Sequence, residues 1–450
     1  MNAPHREGPA GDTIEIAGWG RVPRTRARLR SDDRLDRLDP TQLARGLGRA
    51  YGDAALPAES GGAVTCTRFA DRLLRFDPDR GVLRTEAGAS LDAILSLFTP
   101  RGWFVPVSPG TRYVTVGGMV AADVHGKNHH RVGSFGRHVR ELVVRVASGA
   151  TVRCSREIEP GLFRATVGGM GLTGTILEVE FELERVASAW VRQTCRHTAD
   201  LTELSQVLRE ASERHAFTVG WVDLLGGGRG VVLAGDWAEA PEVPDFAPPK
   251  RRPRRRPPIR IGRSIARLGN IVYRWTRRPG ARLVSAESFF HPLDAIDGWN
   301  RAYGANGFIQ YQAVVPWGDD GRGAVNLVDH FRASGGESFL TVIKDLGDEG
   351  DGLLSFPRRG VTVCFDVPYR GEATRDLVGR LNQHVIDAGG RVYLAKDALT
   401  TAASFARMEP RLPAFQSERD RWDPDRSICS ALSVRLFGDT IRDTRGGAGR

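Results

Sequence analysis

Ala165-Thr166-Val167-Gly168-Gly169-Met170-Gly171-Leu172-Thr173-Gly174 contains a literal GxGxxG, from Gly169 to Gly174, and the residues directly after that run decide the fold. A dinucleotide fingerprint of this form leaves a strand and opens a helix. Here residues 175–181 (TILEVEF) come next, and their pattern predicts a strand, so an NAD-binding reading is rejected. Two further glycine-rich segments stand upstream, residues 45–53 (RGLGRAYGD) and 109–118 (PGTRYVTVGG). Glycine turns let successive backbone N–H groups converge on an anion without a Cβ in the way, and a pyrophosphate is the commonest ligand needing that. One such cluster is equally a tight turn. Three in the first 174 residues point to a shared ligand.

Around these segments, strand-like runs at 73–76, 82–86, 142–146 and 151–154 alternate with glycine turns. One helix is predicted over 90–99, with Ser90 as N-cap and Leu91, Ile94, Leu95 and Phe98 at helical spacing. Residues 14–19 suggest a short strand, whereas 24–39 is arginine-rich with only a thin apolar face. Beyond residue 188 the pattern predicts a helix over 201–215 and strands over 217–225 and 230–233, then a proline-rich stretch over 241–258. Strands at 308–315, 338–344, 361–367 and 391–394 and a helix over 374–388 complete the pattern, which gives a two-domain α+β chain.

Composition narrows the class. With 450 residues, 41% of them hydrophobic and 26% charged, the chain is an ordinary globular one of two or three units. Its net charge of +10 is largely local, since residues 250–282 hold many arginines and no acid. Within that segment Ile261, Ile265, Leu268, Val272 and Trp275 repeat at helical spacing, the pattern of a basic helix lying on an anionic membrane surface. No interleaved aromatics or known module point to nucleic acid. Five scattered cysteines, without a CxxC pair, argue against a disulfide framework or a zinc site. His125, His129 and His130 resemble an HxxxH ligand set, but no acid lies between them and Gly126 weakens a helix there, so no metal is expected. Neither a secretory signal nor an apolar run of about 18 residues is found, and the expected place is cytoplasmic and peripheral to the membrane, the alternative being the periplasmic face.

Residues 44–53 (ARGLGRAYGD), 109–118, 125–136 (HGKNHHRVGSFG), 165–174, 291–304 (HPLDAIDGWNRAYG), 310–312 (QYQ) and 393–401 (YLAKDALTT) together resemble the vanillyl-alcohol-oxidase-type FAD flavoproteins. Within these they are similar to the branch that oxidises a polyprenyl-phosphate-linked ribose. The resemblance implies an FAD-binding domain of two α+β subdomains over residues 1–188. It implies a substrate domain over 189–390 with an antiparallel sheet and helices, including a disordered basic loop at 241–282. Residues 391–438 would return to the FAD domain, and 439–450 would be a disordered tail.

The same resemblance assigns FAD contacts to Ala44, Arg45, Gly46, Leu47, Gly48, Arg49, Ala50, Tyr51, Gly52, Asp53 and Ala54. It adds Gly110, Thr115, Val116, Gly117 and Gly118, then Ala122, Asp123, Val124 and His125, and finally Ile176 and Tyr393. Lys127, Tyr303, Gln310, Gln312, Lys344, Cys364 and Lys396 would surround the sugar. Gln310 and Gln312 would share one face of a strand. Lys396 is the first candidate for the base that removes the hydroxyl proton, His125 the second, and Tyr51 joins them as a catalytic candidate. Arg49 stands where some relatives attach FAD through histidine, so FAD should be non-covalent. Two departures from the family pattern are Thr362, where asparagine is usual, and a shortened stretch between Trp19 and Gly46 that should truncate a helix.

The implied reaction converts the 2′-hydroxyl of a polyprenyl-phosphate ribose to the 2′-keto sugar, the first half of an epimerisation completed by a partner keto-sugar reductase. A soluble aldonolactone or alditol oxidase is the alternative. A flavin-free basic adaptor for membrane or nucleic acid is the alternative of another class.

Overall fold

Alternation at period two builds three large sheets and one two-stranded sheet in the computed structural model, which describes residues 13–239, 243 and 262–440. The first holds β1 (Ile14–Ala17), β2 (Arg24–Ser31), β3 (Leu43–Arg45) and β4 (Gly62–Cys66) in the order β1-β2-β4-β3. The arginine-rich stretch is therefore a strand. Arg24, Arg26, Arg28 and Arg30 point outward while Ala27 is buried between them, an alternation that a search for a helical face passes over. Ala27 packs with Ile16, Leu43, Leu56, Val64 and, from far along the chain, Ile428.

The second sheet comprises β5 (Leu73–Asp77), β6 (Val82–Glu86), β8 (Val139–Arg145), β9 (Thr151–Ser155) and β10 (Thr175–Glu182); β7 (Trp103–Phe104) instead pairs with β11 (Glu184–Arg185). All its pairings are antiparallel, in the order β5-β6-β10-β8-β9. β10 comes directly after the GxGxxG, as the strand reading requires. Its helices are α1 (Leu91–Phe98), α2 (Val116–Ala121), α3 (His129–Val132) and α4 (Pro160–Thr166). Ser90 caps α1 by accepting from the Ala93 amide, and Thr115 caps α2 by accepting from the Gly118 amide.

The third sheet has eight strands: β12 (Trp190–Thr198), β13 (Phe217–Val222), β14 (Gly230–Trp237), β15 (Gly280–Ser285), β16 (Phe308–Val315), β17 (Thr341–Leu346), β18 (Gly360–Pro368) and β19 (Arg391–Val392). Their order is β15-β12-β14-β13-β17-β18-β16-β19, antiparallel throughout. α5 (Leu201–Arg214), α8 (Gly323–Ala333) and α9 (Glu372–Asp387) pack on the sheet, contributing Leu204, Leu208, Leu327, Phe331, Leu381 and Val385 to its core. The remaining helices are α6 (Arg263–Thr276), α7 (Ala286–Phe290), α10 (Ala402–Met408), α11 (Leu412–Trp422) and α12 (Ala431–Phe437).

Three boundaries shift. β19 (Arg391–Val392), expected to begin the return, belongs to the large sheet, pairing with β16. Part of the basic loop is ordered: residues 263–276 form α6 and 280–285 form β15, whereas 241, 242 and 244–261, with Ile261, lie outside the described residues. Asp439 is no disordered tail residue, because it forms a fully buried ion pair with Arg419 at 2.6 Å. Residues 1–12 and 441–450 lie outside the described residues.

Candidate active site

The register of the third sheet builds the site. Gln310 stands opposite Asp366 and Gln312 opposite Cys364; on the other side of β18, Lys344 is opposite Thr362 and Val342 opposite Cys364. These side chains share one face, and that face floors a cavity of about 1740 Å³. A pocket for one small ligand measures roughly 300–1000 Å³, so this space suits a dinucleotide together with a second molecule.

The glycine segments form the opposite wall. A Cβ on Gly46 would collide with Thr115 Oγ1, so the first segment lies directly on the second. At Gly110 and Gly171 the position of a Cβ meets no protein atom within 4 Å, and both residues line the cavity. A cradle of this kind, edged by Arg45 and Arg49, fits the pyrophosphate of FAD. Arg49 lies 4.3 Å over the Trp19 ring, so no histidine is available there for a covalent link.

Most of the expected residues reach this wall. They are Ala44, Arg45, Gly46, Leu47, Gly48, Arg49, Ala50, Tyr51 and Ala54 from the first segment, and Gly110, Thr115, Gly117 and Gly118 from the second. Ala122, Val124, His125, Ile176 and Tyr393 join them, with Lys127, Gln310, Gln312, Lys344, Cys364 and Lys396 at the sheet end.

Five are elsewhere, each with its own partners. Gly52 packs against the Asp397 carbonyl, where a Cβ would collide. Asp53 pairs with Arg435 at 2.8 Å. Val116 is fully buried in the second core. Asp123 accepts from Ser134 Oγ (2.7 Å), Ser355 Oγ (2.5 Å) and the Gly136 amide (2.8 Å). Tyr303 stacks on Phe308 with centroids 4.0 Å apart and donates to Asp366 at 3.2 Å.

The polar end of the cavity has a fixed hydrogen-bond direction. Thr362 Oγ1 donates to the Ala313 carbonyl (2.9 Å), so it accepts from Gln312 Nε2 (3.1 Å). The same amide group therefore faces His125 Nε2, 3.0 Å away, and donates to it. This assigns the His125 proton to Nδ1, which is buried and has no partner among the described residues. Burial, then the nearby Lys344, His129 and Lys396, push the imidazole well below its usual range. His125 thus presents a donor at Nδ1 while its Nε2 lone pair is engaged by Gln312. Burial likewise raises the Tyr51 phenol well above its ordinary value, so it stays protonated. The Cys364 thiol, raised to about 11 chiefly by burial, is a neutral wall residue.

Four cavity cations surround this end. Lys396 Nζ lies 4.4 Å over the Tyr51 ring. Lys127 bonds to the carbonyls of Phe289 and Phe290, at the end of α7. Burial, with Lys344 and Arg277 beside it, lowers Lys127 to about 7, and burial followed by Lys396 lowers Lys344 to about 8.

Asp366 escaped the sequence reading. It sits behind the wall, takes a hydrogen bond from Gln310 Nε2, and is raised to about 6 by burial. Its signal was the two-residue step from Cys364 along a strand. Trp221, Tyr273 and Arg277 also line the cavity and were missed, because the first reads as core and the others belong to a basic segment read as a membrane-surface helix within a loop.

Residues 40–155 match a family model described as an FAD binding domain. The chain is 34% identical to the decaprenylphosphoryl-β-D-ribose oxidase of Mycolicibacterium smegmatis over 94% of its own length and 97% of that protein. It is also 34% identical to an uncharacterized protein in the mprA 5′ region of Streptomyces coelicolor, over 77% of this chain and 99% of that one. Likeness to a human Delta(24)-sterol reductase is confined to 25% of the chain at 26% identity. The reductase shares only a portion, whereas the first likeness spans both the glycine cradle and the sheet that closes it. By that near-complete correspondence, the chain belongs to the decaprenylphosphoryl-β-D-ribose oxidase family of FAD-dependent oxidoreductases.

Proposed function

We propose that the enzyme oxidises the 2′-hydroxyl of a polyprenyl-phosphate-linked ribose to the 2′-keto sugar. The observation that carries this is the meeting, in one cavity, of the glycine cradle with Lys396, Gln310, Gln312 and a group of buried cations. FAD, when bound, supplies the hydride acceptor. Lys396, once its ammonium has given a proton to solvent, takes the hydroxyl proton as the free amine while the alcohol is oxidised. Gln310, held by Asp366, and Gln312, held by Thr362, present amides to the sugar from one side. His125 offers its single Nδ1–H to the interior, and Tyr51 keeps its phenolic proton as a donor. Returning a hydride to the opposite face of the ketone falls to a partner keto-sugar reductase.

A soluble lactone or polyol substrate has less support. Sequences named for lactone oxidation correspond to 25% and 35% of this chain, and a soluble polyol gives no reason for α6. Anaerobic mixing with decaprenylphosphoryl-ribose is expected to bleach the flavin absorbance, whereas a free aldonolactone leaves it unchanged. The reverse pattern would falsify the substrate reading.

α6 also gives the chain a surface suited to an anionic membrane. It buries Ala266 and Asn270 and turns Ile265, Leu268, Ile271, Val272 and Trp275 outward, with Trp275 72% exposed and Arg267 and Arg278 alongside. Such an apolar face with a basic border lies in the headgroup region. Among the described residues no helix is long and apolar enough to cross a membrane. Changing Leu268 and Trp275 together to glutamate should lower co-sedimentation with phosphatidylglycerol vesicles several-fold and leave the flavin spectrum intact. Undiminished sedimentation would remove the docking role.

A further inference from the structure

The cavity floor continues beyond the sugar end. One lateral row of the sheet runs Gln312, Cys364, Val342, Trp221, Val231, each directly paired with the next across neighbouring strands. Four strand spacings of about 4.8 Å carry it roughly 19 Å. Its first members are polar and its last are apolar. Val219, Leu233 and Leu340 widen the apolar half, and all three line the same cavity.

α6 roofs this half. The Tyr273 ring packs 4.8 Å from that of Trp221, and Asn270 Nδ2 donates to Asp223 Oδ1 at 2.7 Å. Past the helix end, the Arg277 carbonyl accepts from His197 Nε2 at 2.6 Å and from Cys195 Sγ at 3.3 Å. The roof is therefore pinned to the floor along its length, and the helix that exposes an apolar face outside covers an apolar strip inside.

Three cations line the cavity between the sugar end and the helix, Lys127 and Lys344 from below and Arg277 from the end of α6. Lys127, Lys344 and Arg277 all line this one cavity, and among the described residues neither lysine is paired with a carboxylate. Arg277 holds its guanidinium 5.1 Å over the Tyr273 ring, and its buried Nε has no partner among the described residues. Cations crowded together without a counter-charge form a preorganised site for a dianion.

We propose that this junction holds the substrate's phosphate between Lys127, Lys344 and Arg277, and that the polyprenyl chain leaves beneath α6 over Trp221, Val231 and Leu233. The inference rests on the polyprenyl-phosphate reading above, and it adds an order along the cavity: sugar over Gln310 and Gln312, phosphate at the cations, lipid under the helix. The lipid then emerges beside the helix whose outer face suits a membrane, so the chain need not be drawn wholly out of the bilayer for its sugar to reach the base.

The test is calorimetric titration of the FAD-loaded full chain with farnesyl phosphate, farnesol and inorganic phosphate. Farnesyl phosphate should bind at least tenfold more tightly than either fragment. Arg277→Gln should reduce that affinity about tenfold and leave farnesol unaffected, while Leu233→Gln should weaken both prenyl compounds and spare phosphate. Leu340→Trp, which fills the strip instead of opening it, guards against a fold defect in Leu233→Gln. Equal binding of farnesyl phosphate and its fragments, or an Arg277→Gln variant with unchanged affinity, overturns the proposal. If these variants behave as expected but decaprenylphosphoryl-ribose fails to bleach the flavin, the reaction reading falls and the lipid-phosphate site stands. Bleaching together with variant-insensitive farnesyl phosphate binding sinks the site alone.

Discussion

Replacing Lys396 by alanine is expected to slow anaerobic flavin reduction by the ribose lipid about 10²–10⁴-fold, the usual contribution of a positioned base, while the purified protein remains yellow. Four other titratable groups in the cavity are already engaged or held neutral. His125 Nε2 accepts from Gln312 and its Nδ1 carries the proton. The Tyr51 phenol is held protonated by burial, and Cys364 is a neutral thiol. Lys127 is tied to the carbonyls ending α7. Lys396 instead lies over the Tyr51 ring in the cavity, with no side-chain hydrogen bond or ion pair among the described residues. Cofactor retention should survive the change because the contacts in this region are made by backbone: the Tyr51 amide donates to the Ala395 carbonyl at 2.8 Å, and Gly52 packs on the Asp397 carbonyl. Partial recovery with added methylamine would identify the missing function as proton acceptance. Full-speed reduction in the variant would place the base elsewhere, and a colourless variant would assign Lys396 to cofactor binding.

How far this site was legible depends on the range of the interactions that form it. The rejection of an NAD fold needed only the strand after Gly174, and β10 begins at Thr175. Gln310 and Gln312 fall on one face by period alone. Two other local signals were present but misread. Arg24 to Arg30 alternate with Ala27 and Leu29 as a strand does, yet the density of charge masked the period. Thr115 before Gly117 and Gly118 caps a helix, although glycine there suggested only a turn. What could not be read is register. Nothing local to Asp366 indicates that it faces Gln310, 56 residues away, and nothing in the basic segment shows that Tyr273 packs on Trp221. The inward side of α6 is defined by the sheet beneath it, so a sequence showing only apolar spacing and arginines suggests a membrane helix and conceals a roof. One further contact of very long range, an ion pair, is likewise invisible locally.

Arg435→Met is expected to lower the free energy of unfolding by about 3–5 kcal/mol, the loss typical of breaking a buried ion pair from one side. Arg435 lies on α12, 382 residues from Asp53, and grips that carboxylate with Nε and Nη2, both at 2.8 Å. Its Nη1 reaches Asp397 Oδ2 at 2.8 Å and the Thr400 carbonyl at 2.5 Å. Both aspartates have side chains only 5% exposed, so methionine would leave two carboxylates buried without a counter-charge. The same guanidinium joins the end of the first glycine segment to the loop after Lys396, and FAD release, monitored by its fluorescence, should quicken along with the loss of stability. pH gives a second signature. Burial already raises Asp53 above its ordinary value even with Arg435 opposing it, and the variant raises it further. A carboxyl whose folded pKa exceeds its unfolded one destabilises the fold above that range, and protonation relieves the penalty as pH falls. The gap between variant and parent in urea unfolding should therefore be widest at and above neutral pH and narrow toward acid. Adding Asp53→Asn to Arg435→Met, which removes one stranded charge, should recover part of the loss. A variant that unfolds at the parent midpoint, or a gap that widens toward acid, would show that the clamp does not hold the two halves of the cradle together.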